Sequence, residues 1–384
     1  MGYSQIYAVV NKIKNNLAYT GADVVDISTF VAFGQEVLSN PNLTEGVYNE
    51  LVDMIGKTIF AIDEAEDDER GIIVDSFEYG SILQKLSFAL QNAQTSSEYD
   101  ISNPENPYAM TAKSGVIQKF FEQVIPAFSY QDVAYDVQLR EAFRSPESLN
   151  GFIDALYQRM YNAYRIAKNG LSDAAVGGLM GAIMEDCAPS TASHVQNVNA
   201  SRRVRYLLGE YNTKFSKSLT ADESLQDADY LDWVRKQIII DRKNMNKMNK
   251  LYNDGSVERR TPEDSVKLDL SIALTASYDK YYGDTYHDNY VKLPKHTDIV
   301  NWGIATQPQT VKVSLDGTAT TTIQNVLGVM YDKDAVVATL DRERFVAIND
   351  TWNDRTVFKL TANRRYIVDI SENAVIYLNA TQPS

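Results

Sequence analysis

The sequence predicts an α+β protein, and three observations carry that reading. A capped helical run extends from Ser145 to Gly170. An alternating, strand-like stretch precedes it and is interrupted by a polar segment with two prolines. Residues 310–378 then read as mostly β. At 384 residues the chain has room for two or three domain-sized units and can bury about three quarters of its unfolded surface. With 44% apolar and 23% charged residues it has the composition of a globular protein. No apolar run approaches the ~20 residues that span a bilayer, so no membrane partner is expected.

From the N-terminus, "MGYSQIYAVVNKIKNN" lacks a basic leader with an uninterrupted apolar core and reads as mature sequence. The first sixty residues predict a loose arm with two short helices, one capped by Ser28 and one by Thr44. "DEAEDDERG" (63–71) is an acidic break. In "SILQKLSFALQ", Ile82, Leu86, Phe88 and Leu90 share one face of a strand. The polar segment from Asn92 to Tyr108 separates it from "GVIQKFFEQVIPAF" and "YQDVAYDV", and together these predict a long two-stranded ribbon with a protruding tip.

Ser145 is placed to cap the main helix with Pro146 at its first position. Leu149, Phe152, Ile153, Leu156, Met160, Tyr164 and Ala167 follow at helical spacing as far as Gly170. At 1.5 Å per residue this beam would be roughly 35 Å long. Ser172 is expected to cap a second helix, "DAAVGGLMGAIMEDC", whose glycines suggest close packing and not a phosphate loop. A third helical stripe runs through Leu231, Val234, Ile238, Met245, Met248 and Tyr252, with Asp241 interrupting it. Met245 and Met248 read as core or partner-facing. "VKLDLSIALTA" reads as a strand, a tyrosine-rich connection follows, and a turn is expected at Asp316-Gly317. Neither internal repeats nor low-complexity segments interrupt this order.

A formal charge of −14 argues against a protein that coats nucleic acid. Any phosphate contact must be local, at "SRRVR" (Arg202, Arg203, Arg205) or between Lys236 and Lys250, and for both a solvated face or surface loop is the plainer reading. Tyrosine, at 24 residues, outnumbers phenylalanine at 13 and suits surfaces that alternate between water and a partner. The one cysteine, Cys187, cannot form an intrachain disulfide, which fits a reducing compartment. The sequons at Asn42, Asn199, Asn349 and Asn379 then read as chance.

Sites for chemistry are scarce. GxGxxG, GxxxxGK[ST], GxSxG and HExxH are all missing from the sequence. His287 and His296, with Asp284 and Asp288 nearby, match no usual metal-ligand spacing and read as surface residues. Cys187 with His194 could form a nucleophile–base pair, but a buried structural thiol fits better. Asp332 and Asp334 follow an apolar run in "VMYDKDAVV". A DxD there could hold magnesium only with further carboxylates and a phosphate cradle, neither of which is visible. The expectation is that they cap the backbone of a turn. No catalytic, cofactor-binding or metal-binding residue is expected.

Three stretches, "VQLREAFRSPESLNGFIDAL" (137–156), "RRTPEDSVKLDLSIALTA" (259–276) and "VMYDKDAVVATLDRERFVAINDTWNDRTVFKLTANRRYIVDISENAVIYL" (329–378), resemble in order and spacing the major capsid proteins of tailed bacteriophages. The likeness is greatest to those of short-tailed phages with small genomes. It covers most of the chain from about residue 75, as a sequential pattern and not as one specific motif. It implies the Hong Kong-ninety-seven fold, divided as 1–62 N-terminal arm, 63–130 E-loop ribbon with flanking strands, 131–190 peripheral domain with its long spine helix, 191–335 axial domain, 336–370 peripheral strands and 371–384 C-terminal return strand. It places Asp332 and Asp334 at a strand end with no catalytic duty.

The implied role is an icosahedral shell around phage double-stranded DNA, assembled in the bacterial cytoplasm. Its expected partners are further copies of itself in hexamers and pentamers, a separate scaffolding protein and a portal protein, with packaged DNA touched weakly. Another virion part, such as a tail or adhesion module, is the second reading. Subunit contacts in the shell are expected to combine buried tyrosines with ion pairs from Arg342, Arg344, Arg364 and Arg365.

Overall fold

The computed structural model describes residues 3–17, 19, 21–40, 46–47, 50, 70–74, 82–88, 116–122, 128–135, 138, 142–187, 202–255, 258–282, 292–302, 306–313, 321–350 and 355–381. The ribbon tip, His194, Asp284, His287, Asp288 and the turn at Asp316-Gly317 lie outside them, as does most of the helix expected after Thr44. The chain divides into two compact units. One comprises Met1–Glu78, Val124–Ser172 and Thr339–Arg365; the other comprises Tyr79–Gln123, Asp173–Ala338 and Tyr366–Ser384.

In the first unit, α1 (Tyr3–Asn16) and α2 (Ile27–Ser39) pack on α3 (Pro146–Asp186). The sequence reading missed α1, whose apolar residues are sparse. Its amphipathic turn is held by Val10 and Ile13 in the core and by Lys14, which is buried yet donates to the Gly21 carbonyl and the Asp23 carboxylate, both at 2.7 Å. Asn11 clamps the connection that follows, accepting from the Val24 N–H at 2.8 Å and donating to its carbonyl at 2.9 Å. The cap of α2 is Asp26 and not Ser28. Asp26 accepts from the Thr29 N–H at 2.7 Å while its own N–H donates to Thr29 Oγ1 at 3.0 Å, a capping box two residues earlier than expected. Ser28 instead donates its hydroxyl to Asp26.

The main helix begins as the sequence predicts: Ser145 Oγ accepts from the Ser148 N–H at 3.2 Å and Pro146 opens the helix. It does not stop at Gly170. It runs for 41 residues, about 60 Å, with Ser172 buried within it. Leu171, Ala175, Val176, Leu179 and Met180 continue the buried face, and this outweighs the ~1 kcal/mol that a helical glycine costs. The glycines of the second half do pack closely: a Cβ at Gly178 would meet the Tyr366 ring at 2.8 Å and one at Gly181 would meet Val313 at 3.1 Å.

A four-stranded sheet, mostly in the first unit, has the order β1 (Ile73–Val74), β11 (Val336–Asp350), β12 (Arg355–Val368), β4 (Phe128–Tyr135). Here "YQDVAYDV" departs from expectation. It is not ribbon but pairs antiparallel with β12, Tyr130 opposite Leu360 and Ala134 opposite Thr356. The ribbon itself is β2 (Ile82–Phe88) and β3 (Val116–Glu122), in register from Ile82–Glu122 to Phe88–Val116.

The second unit is built on a five-stranded sheet ordered β5 (Val204–Tyr206), β13 (Ala374–Leu378), β10 (Val326–Asp332), β6 (Val266–Ser271), β7 (Thr297–Ile299). Strands β10 and β13 are buried along their whole length and, apart from Asp332 at the end of β10, carry no charged residue, as strands covered on both faces must. This unit also holds the helices α4 (Leu207–Phe215), α5 (Ala221–Ser224), α6 (Ala228–Met245) and α7 (Ile272–Tyr282) and the short pair β8 (Val311–Val313) and β9 (Thr321–Ile323), besides the ribbon and the C-terminal part of α3. "VKLDLSIALTA" is therefore a strand only to Ser271, after which the chain turns helical. The stripe through Tyr252 likewise outlasts its helix, which ends at Met245. Many tyrosines serve this subunit's own core: Tyr211, Tyr230, Tyr252, Tyr331 and Tyr377 are all fully buried. Among the described residues no helix is long and apolar enough to cross a membrane.

Gly328 lies at the centre of the five-stranded sheet, where a Cβ would meet the Asp269 carbonyl at 2.5 Å and Leu270 Cδ2 at 2.6 Å. Gly328→Ala should lower the unfolding free energy by roughly 1–3 kcal/mol in denaturant titration. Gly170→Ala, with nothing within 4 Å of the new methyl group, should instead leave stability unchanged or raise it by up to about 1 kcal/mol. Equal effects from the two would contradict this packing.

Candidate functional site

The polar centre of the second unit is Asp241, the residue that interrupts the apolar stripe of α6. It is fully buried. Its Oδ2 accepts from Arg205 Nη1 at 2.7 Å and from the Tyr377 hydroxyl at 3.3 Å, and its Oδ1 accepts from the Tyr252 hydroxyl at 2.8 Å. Arg205 spends its remaining donors on Glu210, through Nε at 3.0 Å and through Nη2, and on Gln237 Oε1 at 3.1 Å. The sheet register brings these groups together: Arg205 on β5 lies beside Tyr377 on the parallel strand β13. Helix α6 then lowers Asp241 onto both.

The electrostatics follow from enclosure. Burial opposes the charge on Arg205, but the carboxylates of Glu210 and Asp241 outweigh it and push its pKa up. Burial, reinforced by the Asp241 charge, pushes Tyr252 up to about 12 and Tyr377 well above the ordinary tyrosine value. Both hydroxyls therefore stay protonated and act as donors. The arrangement holds α4, α6, β5 and β13 in one geometry.

This overturns the reading of "SRRVR" as a surface loop or phosphate contact. Arg203 is fully buried and pairs with Asp186 at the end of α3, and its carbonyl accepts from the Ile376 N–H at 2.7 Å. Arg202 alone of the three is exposed, with Nη1 3.9 Å from Asp241. Between Lys236 and Lys250, by contrast, Lys236, Lys243, Lys247 and Lys250 do form a solvated face. Met245 is core, whereas Met248 is 38% exposed.

Asp332 does what the sequence suggested. Its Oδ1 accepts from the Asp334 N–H at 3.0 Å, capping the short 3-10 turn Lys333–Ala335, while its own N–H donates to the Asn373 carbonyl at 2.9 Å. Burial raises its pKa, opposed in part by the bond from the Asp334 N–H. Asp334 is exposed. Cys187 is buried at the end of α3. His296 is half-buried, not a plain surface residue, with Nε2 3.4 Å from Asp298. Asn379, one of the sequon asparagines, is buried and bonded to Ser224, Tyr230 and Ala221, so it cannot carry a glycan. Arg342, Arg344, Arg364 and Arg365 lie on β11 and β12, but their side chains fall outside the described residues. Among the described residues no group of three or more His, Cys, Asp or Glu side chains could hold a metal ion.

What remains conspicuous is the ribbon, a two-stranded sheet joined to no third strand among the described residues. A buried structural hub and a ribbon paired only with itself among the described residues are features of a building block. Comparison with known proteins agrees. The family described as Phi29-like phage major capsid protein matches residues 6–378. The chain belongs to that family.

Among solved structures, the capsid protein is similar to the capsid of Staphylococcus phage Andhra, with 8% sequence identity over 81% of this chain and 83% of that one and a TM-score of 0.50. It also resembles the mature capsid of bacteriophage PhiM1, at 10% identity over 83% and 88% of the two chains with a TM-score of 0.46. For the capsid of cyanophage P-SCSP1u the figures are 12% identity, 81% and 86% coverage and a TM-score of 0.44. No curated protein matches. The capsid protein thus has the mixed helix-and-sheet fold of tailed-phage shells and is a structural component of the icosahedral head.

Truncating Asp241 to Ala leaves Arg205 with one fewer anion in a buried site and should cost about 3–5 kcal/mol in chemical denaturation. Arg205→Met combined with Asp241→Leu should cost clearly less than the single change, because no buried charge is left over. Asp332 supplies a pH test. Its folded pKa is raised, so the folded state favours the protonated acid, and stability should fall as pH rises from the ordinary aspartate value through the folded one. Asp332→Asn keeps the accepting oxygen and should flatten that slope. A slope that survives the substitution would assign it to another group.

Proposed function

We propose that this major capsid protein works only by assembly, with no catalytic activity of its own, and that its ribbon is an E-loop laid across a neighbouring subunit. The supporting observation is that, among the described residues, β2 pairs only with β3. A two-stranded sheet is marginal in water and becomes stable when it packs on something else. In this reading the first unit supplies the N-terminal arm (1–62) and the peripheral domain, with the long helix as its spine, and the second unit supplies the axial domain around the five-stranded sheet.

The same reading assigns a separate scaffolding protein to guide curvature and a portal protein to one vertex, with assembly in the bacterial cytoplasm before the shell becomes part of the virion. Packaged DNA is touched weakly, since a chain of formal charge −14 repels phosphate at the short range left by a Debye length of roughly 8 Å. The duties found for Asp332, Arg203 and Arg205 support a non-catalytic protein, because each is occupied in holding backbone or core.

Deleting Asn92 to Asn106 removes the ribbon tip without touching the paired strands. The variant should remain soluble and folded by circular dichroism yet form no shells, alone or with its scaffolding partner, under conditions where the unaltered protein does. Normal shells by electron microscopy would refute an intersubunit ribbon.

A further inference from the structure

We infer that the two ends of helix α6 form a charge-complementary contact between copies of this chain, the acidic end of one subunit meeting the basic end of the next. The inference rests on the assembly reading above and adds a named surface to it. Residues 222–232 carry Asp222, Glu223, Asp227, Asp229 and Asp232 with no basic residue among them, and residues 242–251 carry Arg242, Lys243, Lys247 and Lys250 with no acidic one. The 18-residue helix between them is about 27 Å long, so the two charges sit at opposite ends of a rigid strut within one unit.

Among the described residues neither end is fully neutralised by its own subunit. At the acidic end, Lys217 lies 2.9 Å from Asp227 and 3.8 Å from Asp229, and Arg235 lies 3.8 Å from Asp232, yet the side chains of Asp229 and Asp232 are 86% and 54% exposed. Asp222 and Glu223 are exposed beside them. At the basic end, Arg242 is turned toward the Glu263 carbonyl, 3.3 Å from its Nη2. Lys243, Lys247 and Lys250 are exposed and meet no carboxylate among the described residues. The helix dipole accounts for the sign at each end but not for charges several residues beyond it, such as Lys247 and Lys250.

Each end also presents apolar surface. Met248 and Leu251 are 38% and 43% exposed among the lysines. Phe215, 48% exposed, packs at a tilt against Tyr211 with ring centroids 4.7 Å apart, and Tyr211 in turn meets Tyr230 in the first turn of α6 at 5.2 Å. Apolar groups rimmed by charge are the make-up of a protein interface. Two charge-complementary ends on one rigid element suit a head-to-tail contact, which repeats from copy to copy and closes into a ring when the rotation allows. A nucleic acid would satisfy the basic end but be repelled by the acidic one.

Lys247→Glu with Lys250→Glu, and separately Asp229→Lys with Asp232→Lys, put like charges across this contact. Each variant should melt at the temperature of the unaltered protein but give at least about tenfold fewer fast-sedimenting particles. Combining all four substitutions restores complementarity and should restore particles. As a milder variant, Lys247→Gln with Lys250→Gln should weaken the salt dependence of the assembly rate. Undiminished assembly by either reversed variant overturns the inference, as does failure of a normally melting fourfold variant to recover. Normal shells that package less DNA would place the basic end against nucleic acid and overturn it too. If the unaltered protein forms no particles at all, the assembly reading fails before this contact is tested.

Discussion

Most of the second unit depends on keeping one buried carboxylate satisfied. Asp241 sits in a fully apolar stripe, where an unpaired charge would cost several kcal/mol. Its three hydrogen-bond partners, Arg205, Tyr252 and Tyr377, come from β5, the turn after α6 and β13. Satisfying that charge fixes how the helix lies on the sheet. It also fixes where the last strand must run, since Tyr377 can donate only if β13 sits beside β5.

The second constraint is enclosure of β10 and β13. With every residue of both strands buried, these two strands offer no face to solvent, and a small residue is required where a neighbouring backbone approaches. Gly328 meets that need within the sheet, and along the long helix Gly178 and Gly181 leave room for the Tyr366 and Val313 side chains. A shell subunit benefits from such rigidity, because small angular errors accumulate over many copies. The ribbon is joined to no larger sheet among the described residues, and Asp229, Asp232, Lys247 and Lys250 at the ends of α6 are exposed.

The elements with strong local signals were legible in the sequence. Ser145-Pro146 announced the start of the main helix, the alternation from Ile82 marked the ribbon, and Asp332 was read correctly as a backbone cap. Each of these depends on neighbours within a few residues. The failures share the opposite property. Gly170 looked like a stop because a helical glycine is locally unfavourable, and only packing of Leu171 to Ile183 carries the helix through it. "YQDVAYDV" had the strand period, but its partner, β12, lies more than two hundred residues away.

The hub shows the same division most sharply. A lone aspartate in an apolar stripe signals that a cation must come from elsewhere, and "SRRVR" was a basic cluster already singled out, yet nothing local joins the two. Composition, helical and strand periods, caps and the resemblance to tailed-phage capsid proteins were determined by the sequence itself, because each is a matter of residue type and short spacing. Which arginines are buried, which strand neighbours which, and which charges at the two ends of α6 stay exposed were decided by the tertiary structure. Desolvation and pairing energies exist only once distant segments have met, and they can reverse what a residue's type suggests.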